Sequence, residues 1–176
     1  MSLFRKHVAM AINSTPHIHH LVICANMFVR DGDKRLLLKR SDQKKHLPGY
    51  IHPIGGKVDR DEDPCVAAQR ELLEEAGITV SNIRLEAVIT ELKPGEQENR
   101  LIFHFSGEYN GEEITPCDEG KFVRLTTEEL LATKLFPSVA GVIQEIVDPA
   151  KGTIFASYTY DDTGNAQQIS YLRCQR

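Results

Sequence analysis

The feature that most constrains the fold is a helix whose two ends are both marked in the sequence. Asp63 is a good N-cap residue, and Pro64 follows it at the first helical position, where its missing N–H is not needed. Gly77 suits the left-handed position that ends a helix. Between these signals, apolar or small residues recur at helical spacing, namely Cys65, Ala68, Leu72 and Ala76. The sequence therefore predicts a helix over 64–76 with one face against a core.

Three carboxylates lie on this predicted helix, at Glu71, Glu74 and Glu75. Their i, i+3 and i+4 spacing places them on one side of it. Crowded carboxylates raise one another's pKa, and Mg²⁺ or Mn²⁺ relieves that conflict because these ions prefer oxygen ligands. Taken alone, the same pattern is more typical of a solvated acidic helix face.

The residues around the helix complete a longer motif. From Gly56 to Ile78, over 23 residues, the chain matches G-x5-E-x7-R-E-U-x-E-E-x-G-U at every fixed position, where U is aliphatic. The matching residues are Gly56, Glu62, Arg70, Glu71, Leu72, Glu74, Glu75, Gly77 and Ile78. The chain thus resembles the Nudix hydrolases. The resemblance implies an α+β fold with a mixed β-sheet sandwiched between helices (α/β/α), and an enzyme that holds Mg²⁺ (or Mn²⁺) against a diphosphate.

The resemblance also implies roles in metal binding. Glu71, Glu74 and Glu75 would bind the metal with the Gly56 carbonyl, and Glu71 and Glu74 are the candidate catalytic residues. Glu119 matches the position of a further metal ligand or base, although a loop acid without a function explains it nearly as well. Arg70 is expected to point away from this cluster and to pair with Glu62.

Arg40, Lys57 and Ser138 are the candidate substrate-binding residues. Arg40 closes a predicted strand at the position where MutT-like members contact substrate phosphate, and Lys57 follows the paired glycines; solvated surface positions are the alternatives. Ser138 lies in a stretch, 135–138, that resembles the part of those enzymes that builds the base pocket. Their base-reading Asn or Asp is not matched, and His52 and the stretch 138–140 stand in its place.

Composition restricts the class of protein and its partners. A chain of 176 residues with 41% hydrophobic and 26% charged residues suits one domain with a core, and we predict a lead-in over 1–20 and a single Nudix domain over 21–176. The net charge of −4 argues against a nucleic-acid-coating protein. No apolar run has the length of a membrane span, and the four cysteines are scattered. We expect a cytoplasmic monomer or homodimer that binds a small nucleotide.

The remaining elements follow from periodicity and turn signals. Strands are predicted over 21–30, 35–40, 85–92, 101–105, 121–125, 153–160 and 167–172. Helices are predicted from Thr127 and over 139–147, and the stretch before the paired glycines is predicted to be a loop. His104 is expected to be structural. His17, His19 and His20 are expected to be solvated rather than metal ligands.

The predicted reaction is metal-dependent hydrolysis of a nucleoside diphosphate linked to a group X. The chain is most similar to the MutT-like (8-oxo-dGTP diphosphatase) branch, which implies cleavage of a nucleoside triphosphate, with a normal or oxidised base, to monophosphate and pyrophosphate. An ADP-ribose or nucleotide-sugar pyrophosphatase is the second interpretation, because Pro94 lies 16 residues past the motif, although a Pro-Gly turn also explains it. A non-catalytic nucleotide sensor is the third, and the complete set of glutamates argues against it.

Overall fold

The computed structural model describes residues 21–43, 47–92, 98–146, 152–161 and 166–174, without the side chains of Ser138 and Glu145. The strands are β1 (Leu21–Asp31), β2 (Lys34–Arg40), β3 (Ile51–His52), β4 (Ile54–Lys57), β5 (Val80–Leu92), β6 (Asn99–Tyr109), β7 (Gly120–Thr126), β8 (Thr153–Tyr160) and β9 (Ala166–Cys174). The helices are α1 (Pro64–Ala76), α2 (Thr127–Leu131), α3 (Pro137–Ala140) and α4 (Ile143–Ile146). None of these helices has the length and apolar character needed to cross a bilayer. Pro94, His17, His19 and His20 lie outside the described residues.

All nine strands join one mixed sheet. The main order is β3-β2-β1-β6-β5-β8-β9, with β4 paired to β1 and β7 paired to β2. The β1–β6 and β5–β8 pairs are parallel, and the other pairs are antiparallel. Strands β1 and β2 form an antiparallel hairpin, with Gly32 in the left-handed region at its turn (φ 62°).

The sheet buries side chains on both faces, which explains why its central strands read as continuous apolar runs. Met27 and Leu36 belong to the core beneath α1, whereas their chain neighbours Phe28 and Leu37 belong to the opposite core. That second core is closed by side chains of α2 to α4 and their connections, namely Leu130, Leu135, Val139, Val142, Ile143 and Ile146. Helices therefore lie on both sides of a mixed sheet, as predicted.

The prediction of a single helix over 139–147 is wrong in its extent. The structure has two short helices, α3 and α4, separated at Gly141 and Val142. Gly141 lies against the ring of Tyr158, where a Cβ atom would collide with the phenol. Val142 and Ile143, at the break between the two helices, are both buried in the core against the sheet.

The prediction of a loop before the motif is also wrong in part, because the residues on either side of Pro53 form strands β3 and β4. In β4, Gly55 and Gly56 pair with Asn26 and Ala25 of β1. Gly55 has φ 151°, and a Cβ there would overlap the Ala25 carbonyl. The paired glycines therefore act as strand residues that let two backbones approach closely.

His104 lies in the core, as the sequence predicted. It is 1% exposed, and its ring centroid lies 5.5 Å from that of Phe28. Burial lowers the pKa of His104 to about 3, so the imidazole is neutral at physiological pH. The residue therefore has the character of a structural core histidine.

Candidate active site

Both predicted ends of α1 are confirmed by their hydrogen bonds. The Asp63 carboxylate accepts from the backbone N–H groups of Cys65 and Val66, at 2.8 and 3.4 Å. At the other end Gly77 has φ 70°, and its N–H donates to the Leu73 carbonyl at 2.9 Å. These caps satisfy backbone groups that the helix itself leaves unpaired.

The inner face of α1 fixes which side of the helix its carboxylates occupy. Ala67, Ala68, Leu72 and Ala76 are fully buried against the core that contains β1 and β4, while Cys65 is only half-buried at its edge. The small alanines allow the helix to lie close to β4. This close packing brings Glu71 to the backbone of Gly56.

Glu71 lies directly against Gly56 in strand β4. A Cβ atom added to Gly56 would lie 2.6 Å from the Glu71 carboxyl carbon and from its Oε1 atom. The Glu71 side chain is only 17% exposed, whereas that of Glu74 is 59% exposed. The motif glycine therefore provides the space that the Glu71 carboxylate occupies.

Arg70 holds the acidic residues of the motif together. Its Nε and Nη2 atoms donate to the two Glu62 carboxylate oxygens at 2.9 Å each. Its Nη1 atom donates to Glu71 Oε1 at 3.0 Å and to Glu74 Oε2 at 3.1 Å, and Nη2 also donates to the Lys57 carbonyl. The predicted Glu62–Arg70 pair is confirmed, but the prediction that Arg70 points away from the acidic cluster is wrong.

The charges of this network stabilise one another. Hydrogen bonds to Glu62 and Glu71 raise the pKa of Arg70 above its ordinary value. The Arg70 guanidinium in turn lowers the pKa of Glu62. Since a planar guanidinium donates through a fixed fork, it orients these carboxylates as well as neutralising them.

One geometric observation indicates that the acidic residues suit a divalent cation. Oxygens of Glu71 and Glu74 converge on a single positively charged atom, Arg70 Nη1, next to the Gly56 backbone. Within the described residues no three His, Cys, Asp or Glu side chains already meet as a ligand set. Glu71 and Glu74 are therefore the residues that would hold a metal beside Gly56, while Arg70 keeps its two hydrogen bonds to Glu62.

A second group of side chains surrounds the end of β2. Arg40 ends that strand, its N–H donates to the Tyr50 carbonyl at 2.9 Å, and its guanidinium carbon lies 5.8 Å from the Phe136 ring centroid. The rings of Tyr50 and His52 both meet Phe136 edge-on, at centroid distances of 6.2 and 5.2 Å. Arg40 thus borders an aromatic wall formed by β3, its preceding loop and the start of α3.

His52 presents a polar atom within this wall. Its Nδ1 atom lies 2.7 Å from the Pro53 carbonyl, and because a carbonyl only accepts, Nδ1 must carry the proton. The Nε2 atom is then an acceptor, and in the described part of the chain it is buried without a hydrogen-bond partner. Burial lowers the pKa of His52 to about 4. The residue is therefore a neutral acceptor at physiological pH.

Comparison with known proteins identifies the family. A family model described as "NUDIX domain" matches residues 20–146, more than half of the chain. The chain belongs to the NUDIX family.

Solved structures show how far the likeness to the MutT branch extends. A MutT protein from Bacillus halodurans has a TM-score of 0.73 at 22% identity, over 86% of this chain and 97% of the other. MutT proteins from Methanosarcina mazei Go1 and Burkholderia pseudomallei have TM-scores of 0.62 and 0.63 at 22% and 19% identity. These cover 73% and 72% of this chain, and 94% and 98% of theirs. The protein is a Nudix hydrolase with a MutT-like fold, acting on nucleoside diphosphate-linked substrates.

The other predicted Nudix site residues are placed as follows. Lys57 is exposed at the end of β4, next to Gly56. Glu119 precedes β7, where its carbonyl accepts from the Ser41 N–H at 3.0 Å, and its charge partly opposes the lowering of the His52 pKa by burial. This contact places Glu119 near Arg40 and His52. The Ser138 backbone is in α3, and its side chain lies outside the described residues. The substrate, metal and catalytic roles of these residues stay predictions.

Two features of the site were missed by sequence reasoning. The bridging of Glu62, Glu71 and Glu74 by Arg70 depends on the Arg70 rotamer, although the i, i+4 spacing of Arg70 and Glu74 is a signal that could have predicted their contact. The aromatic wall brings Phe136 to Tyr50 and His52, which are distant from it in sequence. No local sequence pattern predicts this contact.

Proposed function

We propose that this Nudix hydrolase cleaves a nucleoside triphosphate, with a normal or oxidised base, to the monophosphate and pyrophosphate in the presence of Mg²⁺ or Mn²⁺. The observation that carries the proposal is the convergence of Glu71 and Glu74 oxygens on one cationic position beside Gly56. Oxygen ligands of this kind suit the metal that accompanies phosphate substrates. The fold family supports a diphosphate as the group that is cleaved.

Each residue of the acidic cluster has a distinct part in this proposal. Glu71, Glu74 and Glu75 would hold the metal with the Gly56 carbonyl. A bound Mg²⁺ would polarise phosphoryl oxygens and lower the pKa of a water molecule. Glu71 or Glu74 would accept the proton of the attacking water. The Glu62–Arg70 pair keeps Arg70 beside Glu71, because its two hydrogen bonds do not involve the metal-binding carboxylates.

The basic residues and the aromatic wall serve the two ends of the substrate. Lys57, next to Gly56, would neutralise phosphate oxygens closest to the metal, and Arg40 would contact a phosphate through its guanidinium fork. The wall of Tyr50, His52 and Phe136 would contact the base. Because His52 Nε2 is a buried acceptor, it favours a base that offers an N–H group, and a base without one would leave it unpaired.

A substrate panel tests this proposal. Normal and oxidised deoxynucleoside triphosphates, ADP-ribose, UDP-sugars and diadenosine polyphosphates would each be incubated with Mg²⁺ and with Mn²⁺, and product nucleotides, phosphate and pyrophosphate would be measured. Glu74→Gln would be run beside wild type, with Glu128→Gln, an exposed carboxylate on α2, as the matched control. Pyrophosphate from triphosphates, lost in Glu74→Gln and kept in Glu128→Gln, is the expected result.

The other results would each contradict the proposal in a different way. Turnover confined to ADP-ribose or sugar nucleotides would assign the protein to that pyrophosphatase class. Tight binding of one nucleotide without any turnover would identify a nucleotide sensor. Equal activity of well-folded Glu74→Gln and wild type would exclude the metal site.

A further inference from the structure

Strand β9 forms an unusually neutral edge of the sheet. It is the last strand in the order and pairs with β8 on its inner side, and among the described strands none pairs with its outer side. Its nine residues, AQQISYLRC, include one charge, Arg173. A bulge near Ile169 interrupts the inner pairing, and regular pairing continues on both sides of it.

Apolar exposure increases toward this edge. Val88 of β5, Phe155 of β8 and Leu172 of β9 are register partners in one row across the sheet. Val88 is half-buried, Phe155 is 42% exposed and Leu172 is 61% exposed. Ile169 of β9 is also 57% exposed. Since the apolar surface is largest at the last strand, the group that would bury it lies beyond the edge rather than over the centre of the sheet.

The other edges of the same sheet carry features that prevent pairing. Strand β3 has only two residues, and Ile51 in it is bridged to Leu135. Strand β7 carries Lys121 and Arg124 among its seven residues. Short strands and charges are the usual protection of an edge, whereas a long neutral edge with exposed apolar side chains is a template for another strand.

We propose that β9 pairs with β9 of a second copy of this chain, antiparallel across a two-fold axis, so that the two sheets become one continuous sheet. An isologous contact of this kind needs only one surface, and it is the commonest way in which soluble proteins form dimers. The charges at the two ends of β9 favour this antiparallel arrangement. Arg173 lies at one end of β9 and exposed Asp161 lies beside the other end, so antiparallel copies bring Arg173 of each chain toward Asp161 of its partner and keep the two arginines apart.

Such pairing completes two incomplete features of the edge at once. The outward-facing N–H and C=O groups of β9 gain backbone partners, and the sheet face that carries Phe155 and Leu172 continues from one copy into the other. The nine-residue strand spans about 30 Å at the usual rise per residue, which is long enough to form an interface rather than a point contact. The proposed interface leaves α1 and its carboxylates untouched.

Molar mass in solution tests the proposal. The full chain would be measured by light scattering and by sedimentation over a range of concentrations, together with Leu172→Lys, which places two added charges in the proposed interface. Leu131→Lys, at an exposed leucine of α2, is the matched control. We expect a dimer for wild type and Leu131→Lys and a monomer for Leu172→Lys. Circular dichroism and hydrolytic activity would be the same in all three.

Amide hydrogen exchange of the wild-type chain tests the same proposal if the Leu172→Lys variant folds poorly. Wild type would be compared at high and low concentration, and dilution should speed exchange of the β9 amides by at least about tenfold while α1 amides are unchanged. A wild-type chain that stays monomeric at every concentration would overturn the proposal, as would a dimer that persists in well-folded Leu172→Lys. Protection of β9 that is independent of concentration would assign the edge to another segment of the same chain and would also overturn it.

Discussion

Replacement of Gly56 by alanine is the sharpest test of how the site is built. A Cβ at this position would lie 2.6 Å from the Glu71 carboxyl carbon, so the carboxylate must move by roughly 1 Å to reach ordinary contact distance. A displacement of this size in a catalytic group lowers the rate roughly 100-fold, which corresponds to about 2.7 kcal/mol of transition-state stabilisation. We therefore expect Gly56→Ala to lower kcat/KM by about that factor.

Stability should respond much less than activity to this substitution. Gly56 does not have a positive φ, so alanine can adopt its backbone conformation. Gly32→Ala is the matched control with the opposite signature: Gly32 has φ 62° in the β1–β2 turn with open space around it, so alanine there strains the backbone by about 1–2 kcal/mol and displaces no carboxylate.

The assays are steady-state hydrolysis, urea unfolding and calorimetric titration with Mn²⁺. Gly56→Ala should lose activity and metal affinity while its free energy of unfolding changes little, and Gly32→Ala should lose stability while keeping kcat/KM. Unchanged kcat/KM in Gly56→Ala would refute the reasoning, because Glu71 would then not need the position that it occupies in this structure.

Three further predictions concern single residues. Glu74→Gln should abolish turnover with an unchanged circular dichroism spectrum and melting temperature; measurable turnover by the folded variant would contradict the proposed metal site. Asp63→Ala removes both capping hydrogen bonds of α1 and should lower the free energy of unfolding by about 1 kcal/mol in urea titrations. His52 has a folded pKa of about 4 against about 6.5 unfolded, so its stability contribution is complete above pH 6.5 and is lost as pH falls toward 4, by about 3 kcal/mol. His52→Gln should therefore flatten the fall in unfolding free energy between these pH values, and an unchanged slope would show that His52 is not the titrating group.

The helix that carries the site could be predicted from the sequence, because its ends and its carboxylate spacing depend on residues close together in the chain. Asp63, Pro64 and Gly77 mark the ends of α1 through hydrogen bonds within four residues, and the spacing of Glu71 and Glu74 fixes their side of the helix. The match from Gly56 to Ile78 implied the family, and the fold agrees with it. The alternation of Met27 and Phe28 between two cores also follows from strand geometry alone.

The tertiary structure decided what depends on contacts between distant segments. Pairing with β1 makes a strand of β4, where a loop was predicted, and a stretch predicted as one helix forms two short helices that separate at Gly141, beside Tyr158. Arg70 turned toward the acidic cluster because Glu62, Glu71 and Glu74 surround it in the folded chain.

The exposed outer edge of β9 is likewise a feature that only the tertiary structure decides. Its sequence predicts a strand, but only the strand order shows that the strand is last in the sheet. Local propensity and spacing determine elements and caps, since they act within a few residues. Strand register and sheet edges are set by packing between residues far apart in the chain, and the sequence pattern carries no short-range signal for them.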